Sequence, residues 1–263
     1  MSDAPHEWQR VDGPLSFARR GSGPRMVFVH GFTQSGRSWL PIAELFTDDH
    51  EVVLIDAPGH GHSGNIRANL AHGADLLAAT TGCAHYVGYS MGGRLCLHLA
   101  LAYPELVRSL TLVGATAGII NHTERSTRLT ADEALAVELE EGGVEAFVTK
   151  WLAQSLFATL PAAAAGLDDR LQNTTAGLAS SLRMAGTGTQ ASLWSRVSEI
   201  SVPTLVLAGS GDHKFSAIGH DLAAAIGNNA RFESIVGAGH AAHLEQPNAV
   251  AVALREFVEG FSG

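Results

Sequence analysis

Short apolar, β-branched runs alternate along the chain with longer stretches in which apolar residues recur every three or four positions. RMVFVHG (25–31), EVVLIDAPG (51–59), AHYVGYS (84–90), RSLTLVGAT (108–116), VPTLVLAGSGD (202–212) and RFESIVGAGH (231–240) each read as a buried strand ending at a glycine or a turn. Helical spacing is expected near 36–46, 66–80, 91–103, 218–226 and 249–261, and an antiparallel edge strand at 15–19. Strand, helix, strand repetition of this kind predicts an α/β protein, a mostly parallel sheet with helices on both faces.

One region breaks the rhythm. Residues 116–194 contain no convincing strand, only helical patterns such as ADEALAVELEEGG and VEAFVTKWLAQSLF, separated by Gly142, Gly143 and Pro161. The expected organisation is a core domain of 1–115 and 195–263 with a helical cap inserted at 116–194. An insertion leaving the carboxyl ends of parallel strands would roof the crevice where such sheets bind ligands.

Hydrophobic residues make up 46% of the chain, enough for a large core, yet no apolar run is long enough to span a bilayer. The opening MSDAPHEWQRVDG lacks a basic start and an apolar stretch, so a cytoplasmic protein with no membrane partner is expected. Cys83 and Cys96 have neither metal nor disulfide spacing and read as reduced thiols. The formal net charge of −9 argues against a nucleic-acid partner, which needs a basic face. Only Lys150 and Lys214 are lysines; the other basic residues are arginines, whose planar fork suits carboxylates.

Candidate chemistry starts at Gly88-Tyr89-Ser90-Met91-Gly92, a G-x-S-x-G pattern between a predicted strand and a predicted helix. Such a turn holds a serine hydroxyl above the sheet, at a helix N-terminus that favours developing negative charge. The hydroxyl needs a base, and the base an orienting acid. Asp212 ends one predicted strand and His240 follows the last one, giving the order serine, acid, histidine; His243 is a nearby competitor expected to start the final helix and point elsewhere. Backbone N–H groups of Met91 and of Phe32, in HGFTQS, are the candidate oxyanion donors. His30 is expected to brace that loop, and His60 and His62, without a third ligand at useful spacing, to be structural; no metal site is expected.

HGF, DAPGHGHS, GYSMGG, SGSGD and GAGH stand in the order of the α/β-hydrolase superfamily, which the chain resembles over essentially its whole length. The combination of GYSMGGR, GTGTQ and GDHKF is narrower. It is most similar to the family of synthases of menaquinone biosynthesis that make 2-succinyl-6-hydroxy-2,4-cyclohexadiene-1-carboxylate. That resemblance implies a lyase: proton abstraction assisted by Ser90, His240 and Asp212, then elimination of pyruvate from a small substrate with three carboxylates, without a cofactor. The triad motif by itself equally allows a serine hydrolase acting on an ester or a carbon–carbon bond, and a non-catalytic receptor can share the fold.

The resemblance also assigns substrate contacts. Arg94, one turn past Ser90 on the same helix, would share its face and clamp a carboxylate, or alternatively neutralise a buried acid elsewhere. Arg125 corresponds to a substrate-facing arginine at the start of the insertion, with Arg128 one turn on; both also fit a solvated helix face. Arg170 is nearest to a further family arginine that precedes the asparagine of QNTT, within a residue or two of register. Trp151 fits either a pocket wall or the core, Tyr89 would donate a hydrogen bond to substrate, and Thr33 would shape the oxyanion loop.

Overall fold

The structure, a computed structural model, describes residues 7–260. The first six residues of the expected leaderless start, and Phe261 at the end of the last expected helix, lie outside the described residues. Eight strands form one sheet: β1 (Gln9–Val11), β2 (Phe17–Arg20), β3 (Arg25–Val29), β4 (Glu51–Ile55), β5 (Ala84–Tyr89), β6 (Val107–Val113), β7 (Thr204–Gly209) and β8 (Ala230–Ile235). Their order is β1-β2-β4-β3-β5-β6-β7-β8. β1–β2 and β2–β4 pair antiparallel, and every other pair is parallel. The antiparallel strand expected at 15–19 is therefore β2. It is not the edge, because β1, which no periodicity marks in so short a run, lies outside it.

Helices α1 (Leu40–Ala43), α2 (Leu70–Thr81), α3 (Met91–Ala102), α4 (His122–Leu152), α5 (Leu167–Arg170), α6 (Thr175–Ala185), α7 (His213–Ile226), α8 (Ala242–Glu245) and α9 (Pro247–Glu259) complete the framework. All residues of β5 and β7 are buried, as a sheet covered on both faces requires. The strand alternation splits the apolar residues into two cores. Val27 and Val29 join Leu77, Leu99 and Leu110 on one face; Met26 and Phe28 join Trp39, Ile42 and Leu254 on the other.

Three helical expectations change in detail. The stretch 36–46 is a 3-10 turn (Gly36–Trp39), the short α1 and a second 3-10 turn (Glu44–Phe46), in a segment where Pro41 supplies no N–H for a continuous helix. α2 begins at Leu70 because the Asn69 side chain accepts from His72 N and caps it there. α7 begins five residues earlier than its apolar spacing suggests, at His213, because Asp212 caps it.

Between β6 and β7 the described chain contains no strand. α4 runs through a kink at Gly143 (φ 78°, ψ 173°), a backbone conformation open to glycine. Ala136, Leu139, Phe147 and Val148 of α4 pack on Leu178, Ala179 and Leu182 of α6, a third apolar cluster that Phe32 and Trp151 join to the oxyanion loop. At the surface Arg183 of α6 ties down both Glu133 and Glu140 of α4. Among the described residues no helix is long and apolar enough to cross a membrane.

Candidate active site

β5 ends and α3 begins in a turn too tight for side chains at its flanks. A Cβ on Gly88 would lie 2.5 Å from Gly92 O, and one on Gly92 would lie 2.2 Å from Val29 O. Ser90 is held at φ 50°, ψ −107°, with its N–H on Val113 O at 2.8 Å. This is local strain that the surrounding contacts sustain. Ser90 stands at the N-cap of α3, yet its side chain makes no capping bond. The hydroxyl is thus left for chemistry, next to the helix N-terminus.

His240 Nδ1 lies 2.7 Å from Asp212 Oδ2, and both side chains are buried. The other Asp212 oxygen accepts from Phe215 N at 3.1 Å, so one carboxylate caps α7 and orients the imidazole. Burial opposes its charge, but the His240 bond, the Phe215 N–H and nearby Lys214 outweigh that and hold the carboxyl below its usual range. An anionic Asp212 favours the proton on Nδ1, which leaves the lone pair on Nε2. Gly114 makes room for the ring; a Cβ there would sit 3.2 Å from His240 Cε1. Ser90 and His240 line one cavity of about 30 Å³, together with Phe32, Tyr89, Trp151 and Arg170.

Glu245, which sequence reasoning missed, grips the histidine loop from one helical turn beyond it. Its two oxygens accept from Gly239 N at 2.8 Å and Ala241 N at 3.0 Å, on either side of His240. The acid five places past the histidine was the available signal. Hydrogen bonds to a charged group contribute about 1.5–3 kcal/mol each. Glu245→Ala is therefore expected to lower Tm by several degrees and kcat by roughly tenfold, from a looser imidazole. Thermal melts with steady-state kinetics check this; kcat at the wild-type value would show that the loop holds His240 without Glu245.

The oxyanion loop is built from backbone and buried imidazoles. Among the described residues, the Phe32 and Met91 N–H groups have no internal acceptor, as free oxyanion donors require. Thr33 adopts φ 67°. Its N–H donates to His60 Nε2 at 3.3 Å, its carbonyl accepts from Asn173 Nδ2 at 2.8 Å, and its hydroxyl meets Arg170 Nη1. His30 accepts from Ala57 N at 3.0 Å through Nε2, and Nδ1 faces Gly31 O at 2.7 Å. His60 Nδ1 faces Pro58 O at 3.0 Å, while His62 is exposed beside Arg10 at 3.5 Å. No group of three metal-ligating side chains occurs among the described residues.

Burial, the largest cause, lowers His30 to about 4, and burial followed by the charge of His30 lowers His60 to about 3. Both are neutral in the fold, whereas the unfolded chain takes up their protons below about 6.5. Stability from these groups is complete above that pH and is lost as pH falls toward 4, at about 1.4 kcal/mol per pH unit for each histidine. Denaturant unfolding at pH 7 and pH 5 is expected to show this loss. Equal stability at both values would contradict the buried, neutral assignment.

The arginines are distributed differently from one another. Arg170, at the end of α5, is buried, lines the cavity, and donates from Nε to Ala165 O at 2.7 Å. Burial lowers it to about 10, against the opposing influence of Tyr89 and Asp169, which leaves it charged at neutral pH; among the described residues no acidic side chain is in direct ion-pair contact with it. Arg94 is also buried, but its Nη1 donates to Ala185 O at 2.8 Å and Gln190 Oε1 at 3.4 Å, both in the insertion. It is not part of the cavity wall. Helical spacing puts residues one turn apart on one face, but Ser90 precedes the helix in a left-handed turn, so its hydroxyl does not follow that face.

Arg128 Nε donates to the buried Asp132 Oδ1 at 2.7 Å, whose other oxygen accepts from Gly188 N at 3.0 Å. Arg125 is half-buried in the first turn of α4, against His122 Nε2 at 3.5 Å. Neither lines the cavity. Trp151 does; its ring meets Phe32 edge-on at 5.1 Å, and its buried indole N–H has no partner. Tyr89 also lines it, with burial pushing the phenol well above its usual range, so it stays a donor. His243 lies in α8, a separate turn before the final helix α9, with its ring 4.1 Å from that of Tyr89. Asn173 was not singled out, although QNTT contains it. It binds Thr33 O from the insertion and accepts from Gly61 N at 2.8 Å, joining two core loops.

Comparison with known proteins identifies the fold and the family. A family model described as the alpha/beta hydrolase fold matches residues 24–247. A relative from Bacillus subtilis (strain 168), provisionally named 2-succinyl-6-hydroxy-2,4-cyclohexadiene-1-carboxylate synthase, is 35% identical across 94% of this chain and 96% of its own. The solved structure of MenH from S. aureus superposes with a TM-score of 0.88 at 30% identity, covering 94% of this chain and 99% of that one. A malate-bound esterase from Thermogutta terrifontis, 24% identical with a TM-score of 0.81 over 97% of this chain and all of its own, shares the fold. The chain belongs to the α/β-hydrolase fold family and, within it, to the family of 2-succinyl-6-hydroxy-2,4-cyclohexadiene-1-carboxylate synthases.

Proposed function

We propose that this protein is a lyase that eliminates pyruvate from 2-succinyl-5-enolpyruvyl-6-hydroxy-3-cyclohexene-1-carboxylate, giving 2-succinyl-6-hydroxy-2,4-cyclohexadiene-1-carboxylate without a cofactor. The observation that carries this reading is a buried, charged Arg170, in direct ion-pair contact with no acidic side chain, in the same cavity as Ser90 and His240. A buried cation that only the more distant charge of Asp169 offsets is costly, and a substrate carboxylate in contact with it would relieve that cost. The relative from Bacillus subtilis supports the specific product through its name.

In this reading Ser90 and His240 act together as the base. The proton leaves ring carbon 2, next to the succinyl ketone. The electron pair forms the C2–C3 double bond, the old C3–C4 double bond moves to C4–C5, and the C5–O bond breaks. Enolpyruvate departs and takes up a proton to become pyruvate. Charge that develops on the ketone oxygen is received by the Phe32 and Met91 N–H groups, each such donor contributing about 3–4 kcal/mol in comparable sites. Asp212 steadies the imidazolium, and Arg170 and Tyr89 hold substrate oxygens.

A space of about 30 Å³ takes roughly one or two water molecules, far less than a ring with three carboxylates. Residues 116–194 therefore shift to admit the substrate, acting as a cap over the core. Arg94, Arg125 and Arg128, outside the closed wall, belong to the proposal as carboxylate partners in that open state. Comparing kcat/KM for the trianionic substrate with a panel of small neutral esters tests the proposal. A preference for the trianion is expected; efficient ester hydrolysis without pyruvate release from the trianion would replace the lyase with a hydrolase.

A further inference from the structure

One buried polar chain in the core domain is not used by the proton-transfer machinery. Gln34, buried but also part of the cavity wall, accepts from Gly31 N through Oε1 at 2.9 Å. Its own backbone N–H donates to Gly31 O at 3.2 Å. The Gly31 carbonyl also meets His30 Nδ1 at 2.7 Å. In a trans peptide the carbonyl and the following N–H point in opposite directions. Two donors that hold Gly31 O therefore aim the Phe32 N–H the other way, and the Gln34 side chain fixes the preceding peptide as well.

The second end of Gln34 leads to α8. Its Nε2 lies 3.3 Å from His243 Nε2. Because Oε1 is committed to a backbone donor, the amide orientation is set, and Nε2 can only donate. His243 must then be neutral, with its lone pair on Nε2 and its proton on Nδ1. That Nδ1 is buried and has no partner. Burial, then Arg170 and the neighbouring His240 and His30, hold the group well below its ordinary range, in keeping with that form. The ring is clamped between Trp39 at 4.5 Å and Tyr89 at 4.1 Å, so it cannot turn to relieve Nδ1. An unpaired buried donor needs a reason, and the reason here is the bond made on the opposite side of the ring.

We infer that His243 is a positioning residue for the oxyanion site, acting through Gln34 to hold the Gly31–Phe32 peptide in its donating orientation. His243 itself touches neither Ser90 nor the reacting atoms. The inference rests on the reading of Phe32 N–H as an oxyanion donor, and it is independent of which substrate the protein takes.

The test is the rate at which a fluorophosphonate modifies Ser90, followed by intact mass. The Ser90 oxygen–phosphorus bond forms, the phosphorus–fluorine bond breaks, fluoride leaves, and the hydroxyl proton passes to His240. Loss of one oxyanion donor slows comparable reactions by about 10²–10³-fold. Gln34→Met and His243→Phe, which displace the donor, are each expected to slow labelling by roughly 10–100-fold, with the half-saturating reagent concentration unchanged in His243→Phe, which does not line the cavity. The double variant is expected to be no slower than Gln34→Met alone, since the two act in series. Labelling of His243→Phe at the wild-type rate, or multiplied losses in the double variant, would overturn the inference. If His243→Phe does not fold, His243→Gln decides: its side-chain oxygen, in the place of Nε2, can accept from Gln34 Nε2 without adding a charge beside the cavity. It is expected to label at close to the wild-type rate, and a loss as large as that of Gln34→Met would overturn the inference. Failure of the wild type to release pyruvate would remove the substrate assignment and leave this comparison intact.

Discussion

Ser90→Ala is expected to lower pyruvate release by on the order of 10³–10⁴-fold, with the substrate's dissociation constant changed by no more than a few-fold. The reason is the division of labour in the cavity. The serine hydroxyl sits in the strained turn (φ 50°) without a capping partner, where it can relay a proton to an imidazole oriented by Asp212 at 2.7 Å. In the proposed function the carboxylate contacts are made by other groups, Arg170 among them. Removal of one oxygen should therefore spare binding and abolish the chemical step. Single-turnover pyruvate assays together with calorimetric titration check both halves. Turnover within tenfold of wild type would show that another group carries the proton.

Arg170→Met is expected to have the second largest effect and to show the signature of a residue kept for function. Loss of a buried charge partner weakens binding by about 2–5 kcal/mol, or roughly 30–4,000-fold. Most of that should appear as a higher KM. Stability should move differently. The guanidinium is buried, lowered to about 10 by desolvation, and in direct ion-pair contact with no acid, so its removal relieves a desolvation cost while giving up bonds to Thr33 and Ala165 and the more distant attraction of Asp169. Tm is expected to stay within a few degrees of wild type or to rise. Arg170→Lys keeps the charge without the fork and should recover only part of the affinity. A large fall in Tm with KM unchanged would make Arg170 a structural tie.

The framework was legible because parallel strands buried on both faces leave an unbroken apolar run, as in β5 and β7. The elbow was legible for a steric reason: Gly88 and Gly92 are the only kind of residue that fits against Gly92 O and Val29 O. What periodicity could not convey were the ends of elements set by single side chains. Asp212 starts α7 at a position where HKFS carries little apolar signal, and the same carboxylate orients His240. Asn69 trims the start of α2 in the same way.

The site was less legible where it depends on contacts far apart in sequence. Arg170 and Thr33 are 137 positions apart and meet only once the insertion folds back over the oxyanion loop. Arg94 shows the opposite case. Its helical register was clear, but its partners, Ala185 and Gln190, lie 91 and 96 positions away. Spacing along one helix carries no information about either. Glu245 and Gln34 were missed because each works by binding backbone N–H groups, which no residue pattern in the accepting loop records.

In the proposed mechanism Ser90 moves a proton while forming no bond to the substrate. The direct measurement is a single turnover with enzyme in excess over 2-succinyl-5-enolpyruvyl-6-hydroxy-3-cyclohexene-1-carboxylate. Diene absorbance and pyruvate would be followed together, with the intact enzyme mass taken at each quench. Equal amounts of diene and pyruvate, formed at one rate on enzyme of unchanged mass, are the predicted result. A transient adduct on Ser90, or a modified substrate without pyruvate, would contradict it.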